Sequence, residues 1–216
     1  MHTMLLLAVV ASSYRGEGES GLLGVGDVME LGAVVGTYGT QGPPSTSTET
    51  PGAPTAIAAT LLGVRFHIAG YTHRTLLGAG GGVEANLSAG YALSQNGFWW
   101  GQLDALANIG LINQAFGPVI TRLHLLVGFS FSLWTGTALA GGARLALGIV
   151  PKILSLEGSY LIMPTANLTI AHKAQANIAI APIQLALGAE LNFGSAAAGA
   201  QHFSLIGTAT WRPDLN

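Results

Sequence analysis

The sequence predicts an all-β protein, an antiparallel up-and-down barrel of about ten strands, with twelve as the alternative count. Stretches across residues 28–211 alternate apolar and polar residues with a period of two. This period indicates strands, because successive side chains leave a strand on opposite faces. The 31 glycines point the same way, since glycine destabilises helix interiors and suits turns.

The clearest alternation lies between residues 98 and 148 and contains two adjoining strands joined near Asn113 to Gly117. The apolar side of the first is Leu103, Ala105, Ala107, Ile109 and Leu111; that of the second is Leu123, Leu125, Val127, Phe129, Phe131 and Leu133. Residues between them are mostly small or polar. Each segment therefore has one apolar and one polar face.

The remaining strands follow the same rule in chain order. Alternation begins at Val28 and is followed by a polar insert over residues 39–54. Further strands are predicted at about Ala56–Tyr71, Val83–Leu93, Thr137–Val150, Leu154–Ile162, Leu168–Ile180, Leu185–Phe193 and Phe203–Trp211. Asn96-Gly97 predicts a tight hairpin, because Asn-Gly accepts the positive φ angles of that turn.

The length and composition of these strands favour a membrane barrel. Most of them run for roughly 11 to 16 residues, whereas soluble strands average about 5 or 6 and membrane-spanning strands need about 9 to 11. Only 8% of residues are charged and 50% are hydrophobic, against about 25% charged in a soluble domain. In such a chain each face of the strands meets a medium of matching polarity when the polar face lines the lumen and the apolar face contacts lipid.

Over Val28–Trp211 the chain resembles small bacterial outer-membrane β-barrels in architecture, without matching a particular family. The resemblance implies a location in the bacterial outer membrane and a lipid bilayer as the main partner. Such barrels often end on an aromatic residue, but here Trp211 is followed by residues 212–216. The predicted division is an N-terminal segment (1–27), a transmembrane barrel (28–212) and a tail (213–216).

The N-terminal segment has two interpretations. The apolar run Met4–Ala11, with Val9 and Ala11 before Ser12, matches the core and small-residue cleavage pattern of a signal peptide. Equally, it can form a first strand followed by the polar loop around residues 12–27.

Alternation predicts nine charged side chains inside the lumen. They are Glu30, Arg65, Glu84, Asp104, Arg122, Arg144, Glu157, Lys173 and Glu190. In one interpretation they line a pore and set its ion preference. In the other they pair into a network that fills a narrow lumen, because ions in a confined interior need partners.

Aromatic residues are predicted to form two girdles at the membrane interfaces, where amphipathic rings are stable. One girdle, assigned to the exterior, contains Tyr38, Tyr91, Trp99, Trp100, Trp134 and Tyr160; the other contains Tyr71, Phe116 and Trp211. This direction also places the long polar insert outside.

The sequence offers little for catalysis or metal binding. His202-Phe203-Ser204 resembles the His-x-Ser element of outer-membrane lipid A deacylases, but Leu205 replaces the asparagine that follows in that family. The chain has no cysteine and no basic run, which argues against thiolate chemistry and nucleic-acid partners. The Gly78–Gly82 stretch is a turn, because no helix pattern follows it. We therefore expect no catalytic residue, metal or cofactor.

The expected function is a non-enzymatic, porin-like integral outer-membrane barrel, acting as a narrow passive pore or as a closed membrane anchor. The first alternative is a structural subunit of a larger envelope complex, which would add other envelope proteins as partners. The second is an outer-membrane lipid-modifying enzyme.

Overall fold

The structure is a computed structural model that describes residues 28–41, 59–72, 81–94, 97–116, 119–132, 136–150, 153–164, 170–195 and 201–212. The predicted N-terminal segment 1–27 and the tail 213–216 lie outside the described residues.

Ten strands make up almost all of the described chain. They are β1 (Val28–Gln41), β2 (Ala59–Thr72), β3 (Gly81–Leu93), β4 (Phe98–Phe116), β5 (Val119–Ser132), β6 (Gly136–Val150), β7 (Leu154–Pro164), β8 (Ile170–Ile180), β9 (Leu185–Ser195) and β10 (Gln201–Trp211). A short 3-10 turn, Ala181–Ile183, precedes β9. In the part of the chain that the structure describes, no helix has the length and apolarity needed to cross a membrane.

The strands form one closed barrel in which each pairs antiparallel with its sequence neighbours. The sheet closes where β1 pairs with β10, in a register from Leu31 opposite Trp211 to Gln41 opposite Gln201. Closure satisfies the backbone groups that an open sheet would leave at its edges. The predicted fold class, an antiparallel up-and-down barrel of ten strands, is confirmed.

The barrel has two rims, which the strand directions define. The first rim contains the end of β1 at Gln41 and the start of β2 at Ala59. The second rim contains the start of β1 at Val28 and the end of β10 at Trp211. The longest connection between described strands, residues 42–58, belongs to the first rim.

Exposure alternates along the strands as the sequence pattern requires. In β10, for example, Phe203, Leu205 and Trp211 are exposed, whereas the alternate residues His202, Ser204, Ile206, Thr208 and Thr210 are buried. Large apolar side chains cover the outer surface along every strand. None of the charged Asp, Glu, Lys or Arg side chains in the described strands lies on that outer face.

The fourth strand is longer than the sequence pattern suggested. The predicted joint at residues 113–117 was wrong, because β4 continues to Phe116 and only residues 117–118 separate it from β5. A bulge between Gly110 and Ile112 shifts the register by one residue. Leu111 and Ile112 are consequently both exposed, which interrupts the alternation and imitates a turn.

Candidate functional site: a charge network across the lumen

The nine predicted lumenal charges all lie on the inward face. Arg65, Glu84, Asp104, Arg122, Lys173 and Glu190 are buried, and Glu30, Arg144 and Glu157 are partly buried. All nine side chains share the lumen of the barrel, because every second residue of each strand points inward. The geometry therefore tests whether they line an opening or pair with one another.

Glu190 is the centre of the network. Only 1% of the residue is exposed, and its carboxylate accepts hydrogen bonds from Arg65 Nη2 (3.0 Å), Gln175 Nε2 (2.8 Å) and Asn192 Nδ2 (2.8 Å). These donors come from β2, β8 and β9. A buried carboxylate is tolerated only when its lone pairs are satisfied in this way.

The fourth donor to Glu190 comes from the opposite wall. Gln102 Nε2 in β4 donates to Glu190 Oε1 in β9 at 2.6 Å. Five strand-to-strand steps separate β4 from β9 in either direction around the ten-stranded barrel, so the hydrogen bond spans its diameter. The two walls are joined at this level.

Lys173 and Asp104 extend the network. Lys173 Nζ lies 2.8 Å from both carboxylate oxygens of Asp104 and 3.8 Å from Glu190 Oε1. Asp104 also accepts a hydrogen bond from Ser130 Oγ at 2.7 Å. Arg65 donates through Nε to Asn86 Oδ1 at 2.8 Å. The two buried acids and two buried bases neutralise one another, as a dry interior requires.

A second group of charges lies nearer the second rim. Arg144 makes a bidentate pair with Glu84, at 2.5 and 2.6 Å, a geometry that the planar guanidinium favours. His67 lies between two carboxylates, with Nε2 3.8 Å from Glu84 Oε2 and Nδ1 3.8 Å from Glu30 Oε2.

Arg212 spans the second mouth of the lumen. It follows β10, and its backbone N–H donates to Gln184 O at 2.8 Å. Its guanidinium lies 3.4 Å from Glu30 Oε1 and 4.0 Å from Glu157 Oε1. Because β1 and β7 are four steps apart around the barrel, these contacts connect well-separated parts of the wall. We call Arg212 with Glu30 and Glu157 the rim bridge.

A polar cavity of about 30 Å³ lies among these charges, lined by Glu30, Arg65, His67, Glu84, Asn86, Asp104, Leu106, Arg144, Glu157, Gln175, Asn177 and Thr208. A cavity of that volume holds about one or two water molecules. Water there can hydrate the carboxylates that the ion pairs leave incompletely satisfied.

Two apolar clusters inside the barrel were missed from the sequence. One contains Leu106, Leu126, Ala138, Ala140, Leu161, Met163 and Ala171; the other contains Val34, Ala59, Leu61, Ala92, Trp100 and Ile206, with Tyr38 and Phe98 against it. Their residues lie in the middle or the first-rim half of the strands. The signal was present in doublets of large apolar residues, such as Leu61-Leu62 and Leu125-Leu126, one of which must face inward.

Trp100 and Tyr38 correct the predicted exterior girdle. Trp100 is 2% exposed, and its indole Nε1 donates to Leu62 O at 3.2 Å inside the barrel. Its ring lies over Gly63, where an added Cβ would come 2.9 Å from Trp100 Cζ2. Tyr38 and Trp100 both occupy inward-facing positions of their strands. They lie near the first rim, as predicted, but they face the lumen and not the outer surface.

The other aromatic residues divide by rim. Tyr91, Trp99 and Tyr160 are exposed on the outer surface near the first rim, and Phe116 and Trp211 near the second. Tyr91 and Trp99 pack edge to face with ring centroids 5.4 Å apart. Trp134 and the side chain of Tyr71 lie outside the described residues.

The geometry of His202 and Ser204 lacks the contact that a catalytic pair needs. Both are buried in the lumen, and neither ring nitrogen of His202 has a hydrogen-bond partner among the described ranges of the chain. Ser204 Oγ instead accepts a hydrogen bond from Asn192 Nδ2 at 3.1 Å. Among the residues that the structure describes, no group of three or more His, Asp or Glu side chains is arranged to hold a metal ion.

Comparisons with known proteins add little to this geometry. No family model and no curated protein sequence matches the chain. Among solved structures, the chain is similar to Ail, the attachment invasion locus protein of Yersinia pestis, with 7% identity over 87% of this chain and 97% of that one, and a TM-score of 0.29. A likeness this distant carries no argument, so the barrel assignment depends on the chain's own strand pairing.

Glu190, the centre of the network, should contribute more to the stability of the fold than the lumenal charges at the rim. We expect Glu190→Gln to lower the free energy of unfolding by about 3 to 5 kcal/mol, because it leaves buried Arg65 without its anion and sets an amide against donor groups. Glu157→Gln is the matched control: its partner lies 4.0 Å away at the rim, so we expect a loss below about 1 kcal/mol. Urea unfolding of the reconstituted barrel measures the free energy of unfolding of each variant. Equal losses in the two variants would contradict the central role of Glu190.

The rim bridge should control access to the cavity. We expect Arg212→Gln to accelerate modification of a cysteine introduced at Asn177, which lines the cavity, by a small methanethiosulfonate reagent. The wild-type chain has no cysteine, so the label reports one position. A cysteine at Ile183, exposed in the turn before β9, should react at the same rate with or without Arg212. An unchanged rate at position 177 would show that Arg212 does not restrict the mouth.

Proposed function

We propose that the chain is a non-enzymatic integral β-barrel of the bacterial outer membrane, and that it acts as a closed anchor instead of a pore. The observation that carries the proposal is the hydrogen bond from Gln102 to Glu190 across the diameter of the lumen. Two further features support it, the outer surface and the interior packing.

The outer surface supports a bilayer environment. Leucine, isoleucine, valine and aromatic side chains are exposed on every strand, while the charged side chains of the described strands face inward. An exposed apolar surface that covers a whole barrel is far larger than the patches that soluble monomers tolerate. Immersion in lipid removes this surface from water, and the closed sheet leaves no backbone edge in the hydrocarbon.

The interior supports closure. A barrel of about eight strands has a lumen that its own side chains fill, and ten strands widen it only slightly. Here long polar side chains reach across that space, and the two apolar clusters occupy the part of the wall toward the first rim. A hydrated ion would have to break hydrogen bonds to Glu190 in order to pass.

A docking role for the first rim is the second candidate. A closed barrel acts through what its rims present, and the longest connection, residues 42–58, belongs to the first rim. Binding of another envelope protein there would make the barrel a structural subunit of a larger assembly. Co-purification that depends on residues 42–58 would support this function.

Depth-dependent substitution tests the bilayer environment. Val64 and Thr60 lie on the outer face of β2, Val64 near mid-height and Thr60 beside the first rim. We expect Val64→Arg to lower the free energy of unfolding in vesicles by about 2 to 4 kcal/mol and Thr60→Arg by about 0 to 1 kcal/mol. A water-facing surface would tolerate both substitutions alike, which would refute membrane insertion.

Electrical recording tests closure separately. We expect the wild-type chain, inserted in planar bilayers, to give no steady conductance, because the lumen is bridged at the level of Glu190. Flotation of the same preparation with vesicles confirms that protein is inserted. A reproducible conductance that rises with salt concentration would overturn the closed state and favour a narrow pore.

A further inference from the structure

One ionisable side chain other than tyrosine faces outward in the described strands. His172 of β8 lies on the outer face, between Ile162 of β7 and Phe193 of β9 in the strand register. Burying a polar ring in hydrocarbon without a partner is costly. Its presence among the exposed apolar side chains of Ile162, Ile170 and Phe193 therefore calls for a specific interaction.

The ring of His172 is held in a fixed orientation. Its Nδ1 lies 2.7 Å from the hydroxyl oxygen of Tyr160, and its face stacks on Phe193 with a centroid distance of 4.8 Å and an angle of 15°. Two neighbours on two different strands thus fix the plane of the imidazole. The other ring nitrogen, Nε2, has no hydrogen-bond partner in the part of the chain that the structure describes.

The height of His172 places it where apolar surface meets headgroups. It is the third residue of β8, which starts at the first rim with Ile170. At about 3.3 Å per residue and a tilt near 40°, this is roughly 5 Å below the strand end. Ile162, Ile170 and Phe203 expose apolar side chains around it, whereas the exposed Tyr91–Trp99 pair marks the same rim elsewhere on the barrel. Aromatic rings with a polar end concentrate at this depth in membranes.

The tautomer determines what the site can bind. When Nδ1 accepts the hydrogen bond from the Tyr160 hydroxyl, the proton of the neutral ring is on Nε2. With the proton on Nε2, the complementary ligand is a hydrogen-bond acceptor at headgroup depth, and the oxygens of a phosphate are strong acceptors.

We propose that Tyr160, His172 and Phe193 form a binding site for the phosphate of a lipid headgroup on the outer surface of the barrel. His172 Nε2 donates to a phosphate oxygen, Tyr160 and Phe193 orient the ring, and the acyl chains lie along the exposed apolar side chains below. The inference depends on the proposed function, because it takes the outer surface to face a bilayer.

Lipid retention tests the site. Native mass spectrometry of the barrel released from maltoside micelles compares phosphatidic acid with diacylglycerol, which has the same chains and no phosphate. We expect wild type to retain phosphatidic acid in preference to diacylglycerol. His172→Phe keeps an aromatic ring beside Phe193, and we expect its preference for phosphatidic acid to be about tenfold lower. Tyr160→Phe should reduce it by a smaller factor, since the ring remains but its orientation is freed.

The control is Gln201→Leu, which removes an exposed polar side chain at the first rim on β10. We expect this variant to keep the wild-type preference. Equal preference in wild type and both site variants would overturn the proposal. Loss in Gln201→Leu equal to that in His172→Phe would also overturn it, because a general rim effect would then explain the result.

Free phosphate is distinguished by magnetic resonance of the labelled histidine ring. We expect phosphatidic acid to shift the His172 ring signals and inorganic phosphate at equal concentration to leave them in place. Equal shifts would overturn a lipid site in favour of a free-anion site. If the chain shows no lipid preference but still floats with vesicles, only the lipid site is refuted. If the chain does not float with vesicles, the proposed function itself is refuted.

Discussion

The buried carboxylate of Glu190 is the constraint on which the interior depends. An anion enclosed in a barrel must have its oxygens satisfied, and here the donors come from both walls: Arg65, Gln102, Gln175 and Asn192. Their lengths match the width of a ten-stranded lumen. Substituting shorter side chains would leave either an unsatisfied anion or a water-filled gap, so barrel width and side-chain length are coupled.

The two faces of the sheet solve opposite solvation problems with the same strand period. The outer face of the described strands excludes Asp, Glu, Lys and Arg, and the inner face places these residues where they can neutralise one another. His172 is the exception on the outside, and the apolar clusters around Leu126 and Leu61 are the exception on the inside. Each exception lies where a local partner is present, a tyrosine hydroxyl in one case and neighbouring apolar side chains in the other.

Much of this architecture could be predicted from the sequence, because a strict period of two determines the face of each residue once a strand is recognised. The inward positions of Glu84, Asp104 and Lys173 follow from that rule. Their partners do not, since the pairing of Lys173 with Asp104 across four strand steps depends on the stagger of the whole barrel. The girdle pattern groups Trp99 with Trp100 and so does not predict that Trp100 faces inward, although adjacent residues of a strand must face opposite ways.

The seam between β1 and β10 also determines the order of events in folding. It joins residues as far apart in sequence as Leu31 and Trp211, and contacts of such large sequence separation form late because the intervening chain must first be ordered. Until the last strand arrives, β1 and β9 present open edges that can pair with any other strand. A nascent chain that stops before β10 is therefore an open sheet that is prone to aggregate through its edge strands. Addition of the eleven-residue strand β10 closes the barrel and removes both edges.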